Sequence, residues 1–418
     1  MADFRPFKSI RPREDLASRI AALPYDVFSS EEARAEVEKE PLSFLRIDRP
    51  ETNFEEGFDL YSDQAYDKAA EIFESMIRDG QFIQDDEECF YLYSLTMSGR
   101  TQTGIVGVSA VDDLEKGIIK RHENTREDKE KDRIRHIDRL NAQTGPIFLA
   151  FRSGADNGVI KEIALGSKSP IYDFTNEDGV RHRVFKIGDK SAIARIQGAF
   201  DGISDIYICD GHHRCASARR VAQLRREADS GASDALAGRR EYDYFLSVVF
   251  PSDELCIYDY NRLVKDLNSL SEDRFLDRLR KKFIIESKGD EAYRPEAKGN
   301  FGMYLSGCWY RLILKENPLI DDPVFGLDVS ILQNELFSPI LNIEDPKRDP
   351  RISFVGGVRG LKELENRVDS REYAAAFSLY PTSIDELFKV SDAGLLMPPK
   401  STWFEPKLRS GLFIHKLG

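Results

Sequence analysis

The string Asp210-Gly211-His212-His213-Arg214 sets four polar side chains and a glycine between an apolar run and an alanine-rich one. If a strand ends here and a helix begins, the helix start presents unpaired backbone N–H groups and a partial positive charge. Both favour an anion. Arg214 adds a guanidinium fork shaped for phosphate oxygens. His212 and His213 can donate hydrogen bonds or relay a proton near neutral pH. The plainer reading is a capped helix start, with Asp210 as N-cap and both histidines on the surface. A second string, Lys120-Arg121-His122-Glu123-Asn124-Thr125-Arg126, sets a carboxylate and an amide among cations. Arg126, Lys129 and Arg133 then recur at the spacing of one helical stripe. That combination suits phosphate binding beside a general base or a magnesium ligand. The alternative is a solvated charged helix, since Glu127, Asp128 and Glu130 share the window. Near the carboxyl end, Lys400, Ser401 and Thr402 follow two prolines and offer a charge and two hydroxyls to an anion. Trp403 and Phe404 either stack on a ligand or dock this segment on the core. In Pro24-Tyr25-Asp26-Val27, Asp26 is either catalytic or a turn residue, and Ser29 and Ser30 cap a helix beginning at Glu31.

These residues need elements to hold them. Ile203–Cys209 reads as a strand running straight into the Asp-Gly-His-His-Arg turn, and Cys215–Ala228 as the helix after it. Asp63–Arg78 carries Tyr66, Ala69, Phe73 and Met76 at helical spacing, closed by Gly80. Phe90–Leu95 and Thr103–Val111 read as a hairpin, Pro146–Phe151 and Tyr244–Phe250 as buried strands. Phe301–Leu314 reads as a hairpin turning near Ser306-Gly307, and Val329–Leu341 as a helix. Arg225–Arg240 and Gly289–Asn300 have loop composition. The expected fold class is α+β with a mixed sheet core. The expected domains are 1–265, carrying the phosphate site, and 266–418, with a terminal arm returning to that site.

The chain has 418 residues, 41% of them hydrophobic and 32% charged, the make-up of an ordinary globular protein. Its 60 basic and 73 acidic residues give a net charge of −13, which argues against a general nucleic-acid-coating role. No apolar run is long enough to span a membrane, and the first residues lack the apolar stretch of a signal peptide. A cytoplasmic location is therefore expected. The five cysteines form no C-x-x-C pair and read as reduced thiols. Walker-type, G-x-G-x-x-G, H-E-x-x-H and G-x-S-x-G signatures are all absent, so nucleotide chemistry would need a different cradle.

Seven strings in order resemble the bacterial and archaeal family known as domain of unknown function 1015. They are Arg5-Pro6-Phe7, Pro24–Val27, His122–Arg126, Gly145–Leu149, Asp210–Arg214, Leu327–Ser330 and Met397–Lys407. Leu23 stands where the family's usual turn has its first proline. The glycine-to-arginine spacing of Gly211 and Arg214 also resembles the phosphate turn of the ParB/sulfiredoxin superfamily, over about Leu92–Phe250. That superfamily includes kinases of free serine. The resemblance implies a ParB/sulfiredoxin-like sheet core with helical and β additions. It also implies a phosphotransferase using ATP or ADP with Mg²⁺ on a small hydroxyl substrate, with free L-serine as the leading acceptor. In that reading Glu123, His122 and His213 are catalytic. Asp210, Gly211, His212, His213, Arg214, Arg126, Lys400 and Ser401 hold the nucleotide, and Asp210 and Glu123 hold the metal. Two other readings are a ParB-like nucleotide-binding switch or partner-binding protein, and a metal-dependent hydrolase built from His122, Glu123, His136, Asp210 and His212. A homodimer is compatible with each.

Overall fold

The computed structural model describes residues 1–154, 162, 166, 169–229, 240–316 and 321–418. They form two compact units. The first is Met1–Leu255 together with Pro406–Gly418; the second is Cys256–Glu405. Most of the segment expected as a loop at Arg225–Arg240 lies outside the described residues, and its first five residues end a helix. No described helix is long and apolar enough to cross a membrane.

The first unit is built on a nine-stranded mixed sheet. Its strands are β1 (Phe4–Arg5), β2 (Phe90–Met97), β3 (Arg100–Ala110), β4 (Ile119–Lys120), β5 (Ile147–Phe151), β6 (Tyr172–Thr175), β7 (Arg181–Ile187), β8 (Ile206–Asp210) and β9 (Tyr244–Pro251). They lie in the order β4-β8-β5-β9-β3-β2-β7-β6, with β1 pairing β3. Two neighbours are parallel, β4 with β8 and β5 with β9. All residues of β5 and β9 are buried. That explains why their sequences read as unbroken apolar runs rather than alternating ones. The main helices of this unit are α1 (Asp63–Arg78), α2 (Glu127–Leu140), α3 (Lys190–Asp201) and α4 (His212–Asp229). Leu92, Ile105, Leu149, Phe200, Ala218 and Phe245 meet in one core cluster, so α3 and α4 close over the sheet.

Several expected elements stand where the sequence put them, including α1, the β2–β3 hairpin and the Ser29 cap. The Ser29 side chain accepts from the Glu32 N–H while the Glu32 carboxylate accepts from the Ser29 N–H. Two boundaries differ for local reasons. The strand before the Asp210–Arg214 turn begins at Ile206, because Ile203 N–H still bonds back to Phe200 and closes the preceding helical turn. The helix expected from Cys215 begins at His212. The strands β6 and β7 and the helix α3 were not foreseen.

The second unit has a six-stranded antiparallel sheet. Its strands are β10 (Tyr260–Val264), β11 (Phe283–Gly289), β12 (Asn300–Leu305), β13 (Cys308–Leu314), β14 (Ile352–Gly356) and β15 (Ala375–Leu379), in the order β11-β13-β12-β15-β10-β14. Strand β10 lies inside this sheet, so the second unit starts before residue 265. The helix expected over Val329–Leu341 is α-helical only at Asp328–Leu332. A wider turn follows, in which Ser338 N–H bonds to the Gln333 carbonyl.

Candidate active site

Strand pairing brings the two polar strings together. Because β4 and β8 are parallel, with Ile119 opposite Ile206 and Lys120 opposite Tyr207, the residues that follow each strand leave the sheet at the same edge. The carboxyl ends of parallel strands are where open α/β sheets place ligands. The register with β5 shifts between Ile208 and Asp210, so a bulge at Cys209 ends the strand and re-aims the chain. Gly211 takes φ +91°, and its carbonyl accepts the Cys215 N–H, the first bond of α4.

The result is that Glu123 lies beside the first turn of α4, with its Oε2 3.8 Å from His212 Nδ1. The two strings are 87 positions apart at a second junction, where the Arg126 backbone N–H donates to His213 Nε2 at 3.0 Å. His213 therefore acts as an acceptor that ties one string to the other, and His212 is the histidine beside the carboxylate. The His122 and His212 rings meet edge to face with centroids 4.6 Å apart. Both are buried, and burial pushes both imidazoles down, His122 to about 4. The His122 ring also bonds to the Ile208 carbonyl at the bulge. Both are thus neutral near pH 7, and His122 is packed behind the turn rather than presented at its surface. Glu123 keeps 37% of its side chain exposed.

Arg214 turns back over the glycine and donates through Nη1 to the Pro146 carbonyl at 2.6 Å. It shares a small cavity with Tyr25, Asp48, Arg133, His136 and Ser410. Arg133 is buried against the Tyr25 ring at 4.1 Å and paired with Asp132. Burial and the Arg133 charge push His136 down, and its Nε2 bonds to the Ile47 carbonyl. Sequence reading placed Arg126, Lys129 and Arg133 on one phosphate-facing stripe. They go three ways instead. Arg126 forms two bonds to Asp128, Lys129 reaches the Tyr61 hydroxyl, and Arg133 goes inward. Each finds a nearer polar partner than a shared surface would offer.

Asp210 carries a partner that the sequence reading left out. Lys407, at the start of the returning segment, sits with Nζ 3.1 Å from Asp210 Oδ2. The other oxygen, Oδ1, accepts the Gly211 N–H. Burial alone would raise the Asp210 carboxyl, but the Lys407 ammonium and the Arg214 guanidinium hold it far below the usual carboxylate range. One Asp210 oxygen is thus held by an ammonium and the other by the backbone. Among the described residues, no three His, Cys, Asp or Glu side chains gather as a metal site. Lys400 and Ser401 belong to the second unit. There the Lys400 carbonyl accepts from Arg262 and the Ser401 hydroxyl donates to the Pro398 carbonyl, so both help hold the turn after the prolines.

An α+β protein with a strand–glycine–helix turn, and a carboxylate delivered to it by the parallel neighbouring strand, is the class that fold and site define. The chain belongs to the family described as protein of unknown function (DUF1015), which it matches over residues 4–330. No curated protein matches. Among solved structures the chain is similar to a mutant of free serine kinase in complex with AMP, at 14% identity and a TM-score of 0.35 over 72% of this chain and 87% of that one. It is similar to a conserved hypothetical protein from Pyrococcus furiosus at 15% identity and a TM-score of 0.34, over 73% and 93%. A truncated SbnI from Staphylococcus aureus follows at 11% identity and a TM-score of 0.34, over 72% and 82%.

Proposed function

We propose that this protein is a phosphotransferase that holds nucleotide phosphates at the Asp210–Arg214 turn and passes a phosphoryl group to a small hydroxyl substrate. The observation that carries the reading is the placement of Glu123 at the first turn of α4, 3.8 Å from His212. A carboxylate beside an anion cradle has an obvious electrostatic cost and needs a chemical reason. Proton abstraction from an acceptor hydroxyl supplies one. The backbone N–H groups at the helix start and the Arg214 guanidinium take the phosphate charge. Glu123 takes the acceptor's O–H proton as the new O–P bond forms and the bond from phosphorus to the nucleotide oxygen breaks. His212, neutral through burial, offers a hydrogen bond to either group without adding charge. The donor is ATP or ADP, and free L-serine, suggested by the superfamily resemblance, is the first acceptor to try. A nucleotide-binding switch would share the turn but would give Glu123 nothing to do.

The test is a coupled assay of phosphoryl transfer from ATP and from ADP against a panel of amino acids and small alcohols. Glu123→Gln should lower kcat by about 10²–10⁴-fold, the usual weight of general-base catalysis, while nucleotide Kd changes less than about threefold. Equal turnover in the variant and the wild type would end this assignment.

A further inference from the structure

We propose that Lys407 is the phosphate-binding lysine of this site and that Asp210 is a positioning residue which holds it ready. This rests on the nucleotide reading above and adds to it a cation that the fold itself supplies.

Lys407 reaches the turn from 197 positions away. The segment that carries it is pinned at several points rather than hanging as a tail. Ala22 and Ser410 exchange backbone hydrogen bonds, as do Ile10 and Ile414, and His415 pairs with Gln143 across a two-stranded ladder. Arg409 donates to the buried His182 and pairs with Asp178. At Gly411 the backbone takes φ +80° and a Cβ would lie 2.6 Å from the Phe44 ring, so the strap passes at one fixed height. Lys407 is thus delivered to Asp210 with only 13% of its side chain exposed.

Charge at the turn then has a definite sign. The Asp210 carboxylate lies with Lys407 and Arg214, the Glu123 carboxylate lies beside His212 with the Arg121 charge acting on that ring, and His122 and His212 are neutral through burial. Two carboxylates, Asp210 and Glu123, thus face three cations, Lys407, Arg214 and Arg121, and a helix start, which leaves a surplus of positive charge suited to an anion. A second observation points the same way. His212 is 6% exposed, and its Nε2 makes no hydrogen bond among the described residues. Buried polar atoms seldom go unmet unless water or a ligand reaches them. A lysine serves here as a point charge whose three donors can serve Asp210 and a phosphate oxygen together.

Isothermal titration of the full chain with ADP, pyrophosphate and adenosine, in EDTA so that no metal contributes, tests the proposal. Lys407→Met should weaken ADP and pyrophosphate at least tenfold and leave adenosine within twofold. Lys407→Arg, which keeps the charge, should stay within about threefold of wild type for all three. ADP binding by Lys407→Met within twofold of wild type overturns the lysine assignment alone, and so does a parallel loss of adenosine, which would mark a structural role. A wild-type chain that binds none of the three overturns the nucleotide reading itself, a distinguishable failure.

Discussion

At position 211 the backbone sits at φ +91°, and a methyl group there would lie 3.1 Å from the Arg214 guanidinium. Gly211→Ala therefore meets two costs: a backbone region that L-residues avoid, and a crowded arginine. The expected outcome is a loss of about 1–2 kcal/mol of stability by urea denaturation, together with weaker nucleotide binding as Arg214 is pushed off the turn. Unchanged binding would show that Arg214 is not a ligand of the phosphates. This much could be argued from Gly-x-x-Arg alone. What sequence could not supply was which histidine faces Glu123. Consecutive helical residues point about 100° apart, so starting the helix at His212 rather than Cys215 decides the matter, and periodicity does not locate a helix start that closely. Lys407 was visible only as a cation in a terminal motif, because nothing local ties position 407 to position 210.

Elements, too, set the behaviour of single groups. In the second unit, the short helix Asp328–Leu332 begins with Asp328, whose Oδ1 accepts the Gly299 N–H and whose Oδ2 is buried without a hydrogen bond. Burial pushes this carboxyl up to about 7, with Glu386 adding to the rise and the Gly299 N–H and Lys298 opposing it. A carboxyl raised in the folded state binds its proton more tightly there than when unfolded. Its stabilising contribution is complete below the unfolded value near 3.8 and is lost as pH rises through about 7. Unfolding free energy should thus fall between about pH 4 and pH 7, by up to roughly 4 kcal/mol from this group. Asp328→Asn should flatten that slope; an unchanged slope would assign it to other groups. The Leu327–Ser330 string was legible as a motif but not as a buried acid, since burial comes from elements that pack over it. Elements whose signal is local were read well. The periodicity of Asp63–Arg78 and the Ser29 capping box are written in adjacent residues. The hairpin β6–β7 carries no such signal, because Arg181–Ile187 opens on three polar residues, turns a histidine, His182, inward and sets Val184 beside Phe185, and the helix Lys190–Asp201 has one capping residue, Asp189, to mark its start.

The whole molecule is a discontinuous first unit interrupted by a continuous second one. That arrangement predicts unequal independence. The last thirteen residues, Pro406–Gly418, place Phe413 against Tyr91 and Tyr93, Ile414 in the cluster with Ile10 and Phe44, and Leu417 in the main core. Each buried side chain of this size contributes about 1.5–3 kcal/mol, so three contribute roughly 5–9 kcal/mol, comparable with the whole stability of a typical domain. A chain ending at Leu255 should therefore fail to fold, whereas residues 256–405, whose six-stranded sheet is complete in itself, should unfold cooperatively on their own. Joining residues 406–418 to the 1–255 fragment through a short flexible linker should restore a cooperative transition, because the strap needs only to reach its ladder with Ala142–Gln143 and its bridges to Ile10 and Ala22. Circular dichroism melts of the three fragments read this directly. A cooperative melt of 1–255 without the strap would show that the strap adds function rather than structure. If only the fused fragment folds, the unit's stability and its lysine arrive on the same segment. A chain that has folded its first unit has then already placed Lys407 beside Asp210.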